Sequence, residues 1–126
     1  MDNKKFLKLQ DIEAYRISFQ LSNYVWEMVK GWNRIMQNTV GEQFIRAADS
    51  VSANLAEGFG RYNKKDKIRF YRISYASMME CIDWNEKAKT RNLIAEDQYA
   101  YVFAELEKLP KSINSLIKFT NDKLAF

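Results

Sequence analysis

The sequence predicts an all-α protein, an antiparallel up-down four-helix bundle that forms one domain over residues 1–126. The chain has one Pro and four Gly, too few for the turns of a β-sandwich or barrel. A chain of 126 residues is long enough to bury one core but too short for two. Apolar residues recur at steps of three and four along four segments, which is the period of an amphipathic helix. We place the helices at about 11–34, 40–57, 64–90 and 96–121.

The first helix is apolar over more of its surface than one bundle core can cover. Its polar residues fall in one narrow strip, and about 220° of its circumference is apolar or small, where a surface helix needs roughly 100°. The third helix carries two apolar stripes. Both helices therefore need a second packing partner, and we expect copies of the chain to supply it. The aromatic residues predicted for this interface are Tyr15, Phe19, Trp26 and Trp32 on the first helix and Phe70 and Trp84 on the third.

The boundary between the second and third helices is the clearest in the chain. Gly58 and Gly60 follow the apolar face of the second helix, and glycine accepts the left-handed conformation that ends helices. Both glycines are therefore predicted as a helix stop. Asn63 is the predicted N-cap of the third helix, and Asp66 lies near the positive end of its dipole.

The fourth helix has a single apolar face that contains a proline. Proline lacks a backbone donor and crowds the preceding turn, so Pro110 is expected to kink this helix or divide it in two. The two chain ends, Met1–Leu9 and Asp122–Phe126, are expected to fray.

Positive charge is concentrated in one segment. Residues 61–72 hold six basic residues against Asp66 alone, a net +5, whereas the whole chain is +4 and the remainder is therefore −1. The segment opens the third helix, where backbone donors also favour phosphate. Cations in such a cluster make phosphate contacts that depend on salt and carry little sequence specificity. The predicted nucleic-acid-binding residues are Arg61, Lys64, Lys65, Lys67, Arg69 and Arg72.

The sequence offers little for catalysis. It has no histidine, the commonest general base and metal ligand at neutral pH, and so cannot supply the Glu-x-x-His pairs of a di-iron bundle. Cys81 lies among apolar residues without a second cysteine, which predicts a small buried side chain rather than a reactive thiol. Glu80, Asp83 and Glu86 share one side of the third helix with Lys87, which is typical of surface ion pairs. We expect no enzymatic activity, no metal and no cofactor.

The predicted location is the cytoplasm, without membrane contact. No apolar run approaches the roughly 18 residues of a membrane span. The charged start lacks the apolar core of a signal peptide. A single cysteine needs no oxidising compartment.

One motif in the middle of the chain resembles a known family. It comprises Gln43, Arg46, Ala47, Ser50, Val51, Asn54, Leu55, Ala56, Glu57, Gly58, Gly60 and Arg61, followed by the basic segment, Phe70, Ser77 and Glu80. Together with the opening DIEAYRISFQL, it resembles the four-helix-bundle family named for proteins encoded in 23S rRNA intervening sequences. This chain departs from the family in having Ser52 where Pro is usual and Ala76 where Gly is usual, both of which concern local backbone geometry.

The resemblance implies a bundle that assembles into a ring, usually a homopentamer, with no established enzymatic activity. Related bundles include the accessory proteins of diversity-generating retroelements, which are basic pentamers that bind a reverse transcriptase and nucleic acid. Repeated around a ring of five, the basic segment would form a band of about +25.

A stripe of small and polar residues on the second helix is predicted to specify packing. Small side chains let a neighbouring helix come close, and polar ones satisfy its polar groups and fix its register. The alternative is a ligand-binding stripe, which is less typical of polar residues along a helix seam. The predicted structural motif is Gln43, Arg46, Ser50, Asn54, Glu57, Gly58 and Gly60.

These observations lead to three hypotheses for function. The first is a non-enzymatic homo-oligomer that binds RNA or DNA, above all structured RNA or an RNA–protein complex, through the basic segment. The second is a scaffold that presents its surfaces to a protein partner and has no nucleic-acid role. The third is a small-molecule pocket at the axis of the ring, although nothing in the sequence indicates a particular ligand.

Overall fold

The computed structural model describes residues 7–126 and contains four long helices packed as a bundle. Each helix packs against the next, and the last also packs against the first, so that all four surround one core. No β-strand occurs between residues 7 and 126. The predicted all-α, four-helix fold is therefore confirmed. The helices are α1 (Glu13–Lys30), α2 (Glu42–Gly60), α3 (Lys64–Thr90) and α4 (Glu96–Lys123).

The core consists of apolar side chains from all four helices. Phe44 and Tyr71 are the largest of its fully buried members. Burial of this apolar surface is the main force that holds the helices together. Within residues 7–126 no helix is both long enough and apolar enough to cross a bilayer. The other fully buried large side chains are Leu21, Val25, Val29, Val51, Leu55, Met78, Val102, Leu106, Leu109 and Ile113.

The connection between α1 and α2 is itself helical, which the sequence did not reveal. The side chain of Asn33 accepts a hydrogen bond from the Met36 backbone N–H at 3.0 Å and so begins a short turn, Arg34–Met36. A π-helical turn, Gln37–Gly41, leads from it directly into α2. The first predicted helix, 11–34, is therefore shorter than expected and ends at Lys30.

The end of α2 differs from the prediction. The predicted stop at Gly58 is wrong, because α2 continues through it, whereas Gly60 is the last helical residue. The expected left-handed conformation is also wrong, because no glycine in residues 7–126 has a positive φ. The predicted N-cap of α3 is confirmed: the Asn63 side chain accepts a hydrogen bond from the Asp66 backbone N–H at 2.8 Å. The cap starts α3 only four residues after α2 ends, which makes the junction tight.

The end of α3 uses asparagine where glycine is usual. Asn92 has φ 60°, the left-handed conformation that glycine adopts most easily. The Leu93 N–H donates to the Ala88 carbonyl at 2.9 Å and the Asn92 N–H donates to the Lys89 carbonyl at 3.0 Å. This pair of bonds is a Schellman motif, which satisfies the last carbonyls of the helix and turns the chain toward α4.

Pro110 does not divide α4, which runs without interruption from Glu96 to Lys123. Leu109 and Ile113, on either side of the proline, are fully buried, and this packing offsets the missing backbone hydrogen bond. The expected fraying at Asp122 and Lys123 is also wrong, because both belong to α4. At the other end, Leu9–Asp11 forms a 3₁₀ turn, while residues 1–6 of the segment expected to fray lie outside the described residues.

Candidate nucleic-acid interface

The candidate interface lies where α2 ends and α3 begins. Lys64 begins α3, and its backbone N–H donates to the Phe126 carbonyl at 2.7 Å. The last residues of the chain therefore lie against the first turn of α3. All six basic residues of the 61–72 segment lie in the loop or in the first turns of α3.

Two of the six predicted binding residues hold the fold together through their ammonium groups. The Lys64 ammonium donates to the carbonyls of Asn121, at 3.1 Å, and Leu124, at 3.3 Å. The Lys67 ammonium donates to the Phe59 carbonyl at 2.6 Å. Each lysine thus caps the C-terminal end of a helix, α4 or α2, where carbonyls lack partners and the helix dipole is negative.

Burial also affects Lys67 electrostatically. Removal from water lowers the pKa of its ammonium from the ordinary value of 10.5. Its side chain is half-buried, and the ammonium lies 5.5 Å from the centre of the Phe59 ring. Lys67 is therefore poorly placed to reach a phosphate on a ligand.

Arg61 and Arg69 are arranged around one aromatic ring. The guanidinium carbons of Arg61 and Arg69 lie 4.6 Å and 4.8 Å from the centre of the Phe70 ring, within the range of cation–π attraction. Arg61 also forms an ion pair with Glu57 at 2.7 Å, which ties the end of α2 to the loop. Phe70 therefore organises the two guanidinium groups in this single chain, although it was predicted at the subunit interface.

Lys65, Arg69 and Arg72 form the exposed basic face of α3. All three are exposed, and none forms a salt bridge with any other described residue. Their spacing of four and three residues puts them on one side of the helix, along about 10 Å of its axis. Arg72 also borders a shallow surface cavity of about 300 Å³ with Tyr75 and two residues of α4. This face has the charge and exposure that phosphate binding requires.

Two aromatic residues at this end of the bundle were not assigned from the sequence. Tyr62 and Phe126 are 77% and 60% exposed, and their ring centres are 5.3 Å apart. Tyr62 could have been noticed, because it is the one aromatic residue between two basic ones in RYNKK. Phe126 carried no such signal, since its position depends on the fold.

The polar stripe of α2 makes its contacts within α2 and its adjoining loop. Asn54 donates to the Ser50 carbonyl at 2.8 Å, Arg46 lies 3.7 Å from Glu42, and Glu57 pairs with Arg61. Gln43 is exposed, as are Arg46 and Glu57. The stripe therefore faces outward for the most part, and only Gly58 of the predicted motif is buried against another helix of the same chain.

The aromatic residues predicted for an oligomer interface are unequally exposed. Phe19 and Trp26 of α1 are 50% and 52% exposed. Tyr15, Trp32 and Trp84 are partly buried against the core. Trp26 also borders a surface cavity of about 210 Å³ with Val29, Lys30, Gln37 and Ile45.

The groups considered for catalysis have the environments of ordinary core and surface residues. Cys81 is fully buried, and burial raises the pKa of its thiol from 9.0 to about 12. Asp83 pairs with Lys87 at 2.6 Å, as the sequence predicted, and Glu86 accepts a hydrogen bond from the Tyr99 hydroxyl. Within residues 7–126, no group of three or more Cys, Asp or Glu side chains is arranged to hold a metal ion.

Comparison with known proteins indicates the family and the fold. No curated protein matches the chain. A crystal structure of a protein of unknown function from the S23 ribosomal protein family of Bacteroides thetaiotaomicron is similar, with a TM-score of 0.74 and 20% sequence identity over 83% of this chain and 98% of the other. The family model for the 23S rRNA-intervening sequence protein matches residues 10–115. That match spans most of the sequence, and the chain therefore belongs to the 23S rRNA-intervening sequence protein family.

Proposed function

We propose that this protein is a non-enzymatic, oligomeric bundle that binds nucleic acid, in particular structured RNA or an RNA–protein complex, through the basic face of α3. The observation that carries the proposal is the exposure of Lys65, Arg69 and Arg72 on one side of the helix, without a carboxylate partner among the described residues. A family named for an rRNA intervening sequence makes RNA the first nucleic acid to test.

The contacts divide the six basic residues between binding and structure. Lys65, Arg69 and Arg72 are the proposed phosphate ligands. Arg61 is proposed to assist at the edge of this face, because its guanidinium already pairs with Glu57 and packs on the Phe70 ring. Lys64 and Lys67 cap helices and are proposed to position the surface instead. Binding through such a face should be strongly dependent on salt and only weakly dependent on sequence.

Removing the charges of this face tests the proposal. The variant Lys65→Gln/Arg69→Gln/Arg72→Gln removes three positive charges, and the control Arg34→Gln/Arg91→Gln/Lys111→Gln removes three exposed charges elsewhere on the bundle. Fluorescence anisotropy with a labelled RNA stem-loop should show tight binding by the wild type and the control at low salt. The triple variant should bind weakly, and its plot of log affinity against log salt should be shallower by about 2 to 3.

Two results would contradict the proposal. One is the absence of binding to any rRNA fragment or DNA by the wild type at micromolar concentration and low salt. The other is an equal loss of affinity in the two triple variants, because a general effect of net charge would then explain the binding.

The antiparallel up-down arrangement belongs to the same proposal and is supported by contacts at both ends of the helices. Lys64, which begins α3, bonds to carbonyls at the end of α4, while Asn85 near the end of α3 donates to the Tyr99 carbonyl at the start of α4. Similarly, the Ser112 hydroxyl in α4 donates to Glu13, which begins α1. Short connections between adjacent helices favour the same topology.

We further propose that the chain forms a ring-like homo-oligomer, with a pentamer as the first expectation. The exposed Phe19 and Trp26 support it, because large exposed aromatic side chains on one helix commonly mark an interface. A ring would bring the basic faces of several copies together and strengthen binding to one polyanion.

The same exposed aromatic residues favour the second candidate, a scaffold for a protein partner. The triple Gln variant distinguishes the two functions in a pull-down from the native host. A scaffold should keep its protein partner when the basic face is neutral, whereas a nucleic-acid-binding protein should lose the RNA that co-purifies with it.

A further inference from the structure

Beside the basic face lies a pair of aromatic rings that the bundle core does not use. Tyr62 and Phe126 are 77% and 60% exposed. Their ring centres are 5.3 Å apart and their planes are tilted by 46°, so the two rings touch each other and leave their other faces to solvent. Large apolar side chains at this exposure contribute little to the stability of a single chain, and a contact with a ligand would give them a role.

The fold holds the two rings together through Lys64. Its backbone N–H donates to the Phe126 carbonyl at 2.7 Å, and its ammonium donates to the Leu124 carbonyl at 3.3 Å. Tyr62 lies two residues before Lys64, next to the Asn63 cap whose bond to Asp66 fixes the start of α3. Backbone and capping contacts therefore position both rings, although the rings themselves are exposed.

The rings lie at the N-terminal end of the basic face. Arg61 precedes Tyr62 directly, and Lys65 follows it by three residues in the first turn of α3. Arg69 lies one turn further along the same side of the helix. An exposed aromatic surface thus adjoins a row of cations, which is the combination that proteins use to bind single-stranded nucleic acid.

We propose that the Tyr62–Phe126 pair, hereafter the aromatic platform, stacks an unpaired base while Lys65 and Arg69 contact the phosphates that flank it. The inference rests on the proposed nucleic-acid function and specifies its ligand as an unpaired nucleotide in single-stranded RNA or DNA, including the loop of a structured RNA. A base inside a duplex is covered on both faces by its neighbours and cannot stack on the platform. Stacking tolerates any base, so the preference is for the single-stranded state and not for a sequence.

The experiment compares ligands that carry the same number of phosphates. Three labelled strands of equal length, which are oligouridylate, oligothymidylate and an abasic strand, and a fully paired blunt duplex of half that length are titrated with the wild-type protein. Both base-containing strands should bind more tightly than the abasic strand and the duplex, by roughly fivefold to 150-fold for one stacked base. The RNA and DNA arms distinguish which sugar the site accepts.

Matched variants assign the preference to the platform. Tyr62→Leu/Phe126→Leu should lower the affinity for oligouridylate to that for the abasic strand and leave duplex affinity unchanged. Tyr62→Phe keeps the ring and should retain wild-type affinity. The control Tyr101→Leu/Phe103→Leu removes two exposed rings from α4 and should also bind as the wild type does.

The results separate the inference from the function on which it rests. Equal binding of base-containing and abasic strands by the wild type overturns the aromatic platform and leaves phosphate binding intact. The same holds if the double leucine variant still prefers unpaired bases, or if Tyr62→Phe loses as much affinity as the leucine variant. Failure of every strand and duplex to bind overturns the proposed function itself. The abasic comparison uses only the wild type, so it can overturn the inference even if the leucine variant does not fold, and Tyr62→Phe then remains as the variant that tests the platform.

Discussion

The ring of Tyr71 in α3 packs directly against the backbone of α2 at Gly58. A Cβ atom at position 58 would lie 2.7 Å from Cε1 of Tyr71 and 2.9 Å from the Lys67 carbonyl oxygen, both too close for a real contact. Tyr71 is fully buried and cannot move aside without disturbing the core. Glycine at this position therefore lets α2 and α3 approach each other.

Gly58→Ala should destabilise the protein by about 1–3 kcal/mol, the usual cost of an additional carbon atom in a packed site. Gly60→Ala is the matched control, because a Cβ atom at position 60 would meet nothing within 4 Å. Both glycines are helical, so the control should gain up to about 1 kcal/mol from helix propensity. Urea unfolding at one protein concentration measures both. Equal effects of the two substitutions would show that the contact with Tyr71 is unimportant.

Lys65 and Lys67 should respond differently to the same substitution. Lys67→Met removes a charged hydrogen bond to the Phe59 carbonyl, so the free energy of unfolding should fall by about 1–2 kcal/mol. Lys65→Met removes an exposed charge and should leave stability unchanged while weakening RNA binding. Thermal unfolding and RNA anisotropy on the two variants give the comparison. If Lys67→Met weakened RNA binding as much as Lys65→Met, the division between binding and capping residues would be wrong.

The glycine and lysine positions show what the sequence could and could not predict. Helical periodicity identified all four helices, and the Asn63 cap located the start of α3, because both signals depend on nearby residues. Gly58 was predicted as a helix stop, and Lys67 was grouped with the phosphate-binding residues. Neither role could be predicted correctly, because both depend on contacts across the α2–α3 junction. The charge of the candidate site was evident in residues 61–72, whereas the approach of Phe126 to Tyr62 depends on residues 64 positions apart.

Stability should fall at alkaline pH because two buried groups resist ionisation. Burial raises the pKa of the Cys81 thiol from 9.0 and that of the Tyr71 phenol from 10.0, each to about 12. The folded chain keeps protons that the unfolded chain releases, so the stability that these two groups contribute is fully present below pH 9 and is lost as the pH rises toward 12. The loss should reach at most about 1.4 kcal/mol per pH unit for each group.

Urea unfolding of the wild type and two variants between pH 8 and 11 tests this expectation. The quantity to compare is the slope of the unfolding free energy against pH, because each substitution also changes stability at neutral pH. Cys81→Ala should remove the decline that begins near pH 9, and Tyr71→Phe should remove the further decline above pH 10. Parallel curves for the wild type and both variants would assign the alkaline loss to other groups.

Asn85 should stabilise the folded bundle less than an apolar residue of similar size would. Its side chain is buried, its Nδ2 donates to the Tyr99 carbonyl at 3.3 Å, and its Oδ1 has no hydrogen-bond partner among the described residues. A buried acceptor without a partner costs about 1–3 kcal/mol. Asn85→Leu should therefore raise the free energy of unfolding, and Asn85→Asp should lower it at neutral pH by burying a charge. A fall in stability in both variants would mean that the amide is satisfied in solution.

The exposed aromatic residues of α1 should control assembly. Phe19→Glu/Trp26→Glu puts two charges on a face that a neighbouring copy is expected to cover, and burying unpaired charges is strongly unfavourable. Light scattering should then give the mass of a single chain of 14.9 kDa, while circular dichroism keeps the helical content of the wild type. The control Gln20→Glu/Asn23→Glu adds the same charge to exposed polar positions of the same helix and should remain oligomeric.

A wild-type protein that stays monomeric at high concentration would refute the oligomer directly, and an oligomer unaffected by Phe19→Glu/Trp26→Glu would locate its interface on another face. Because a ring brings several basic faces to one RNA, the monomeric variant should also bind RNA more weakly, with a smaller dependence on salt.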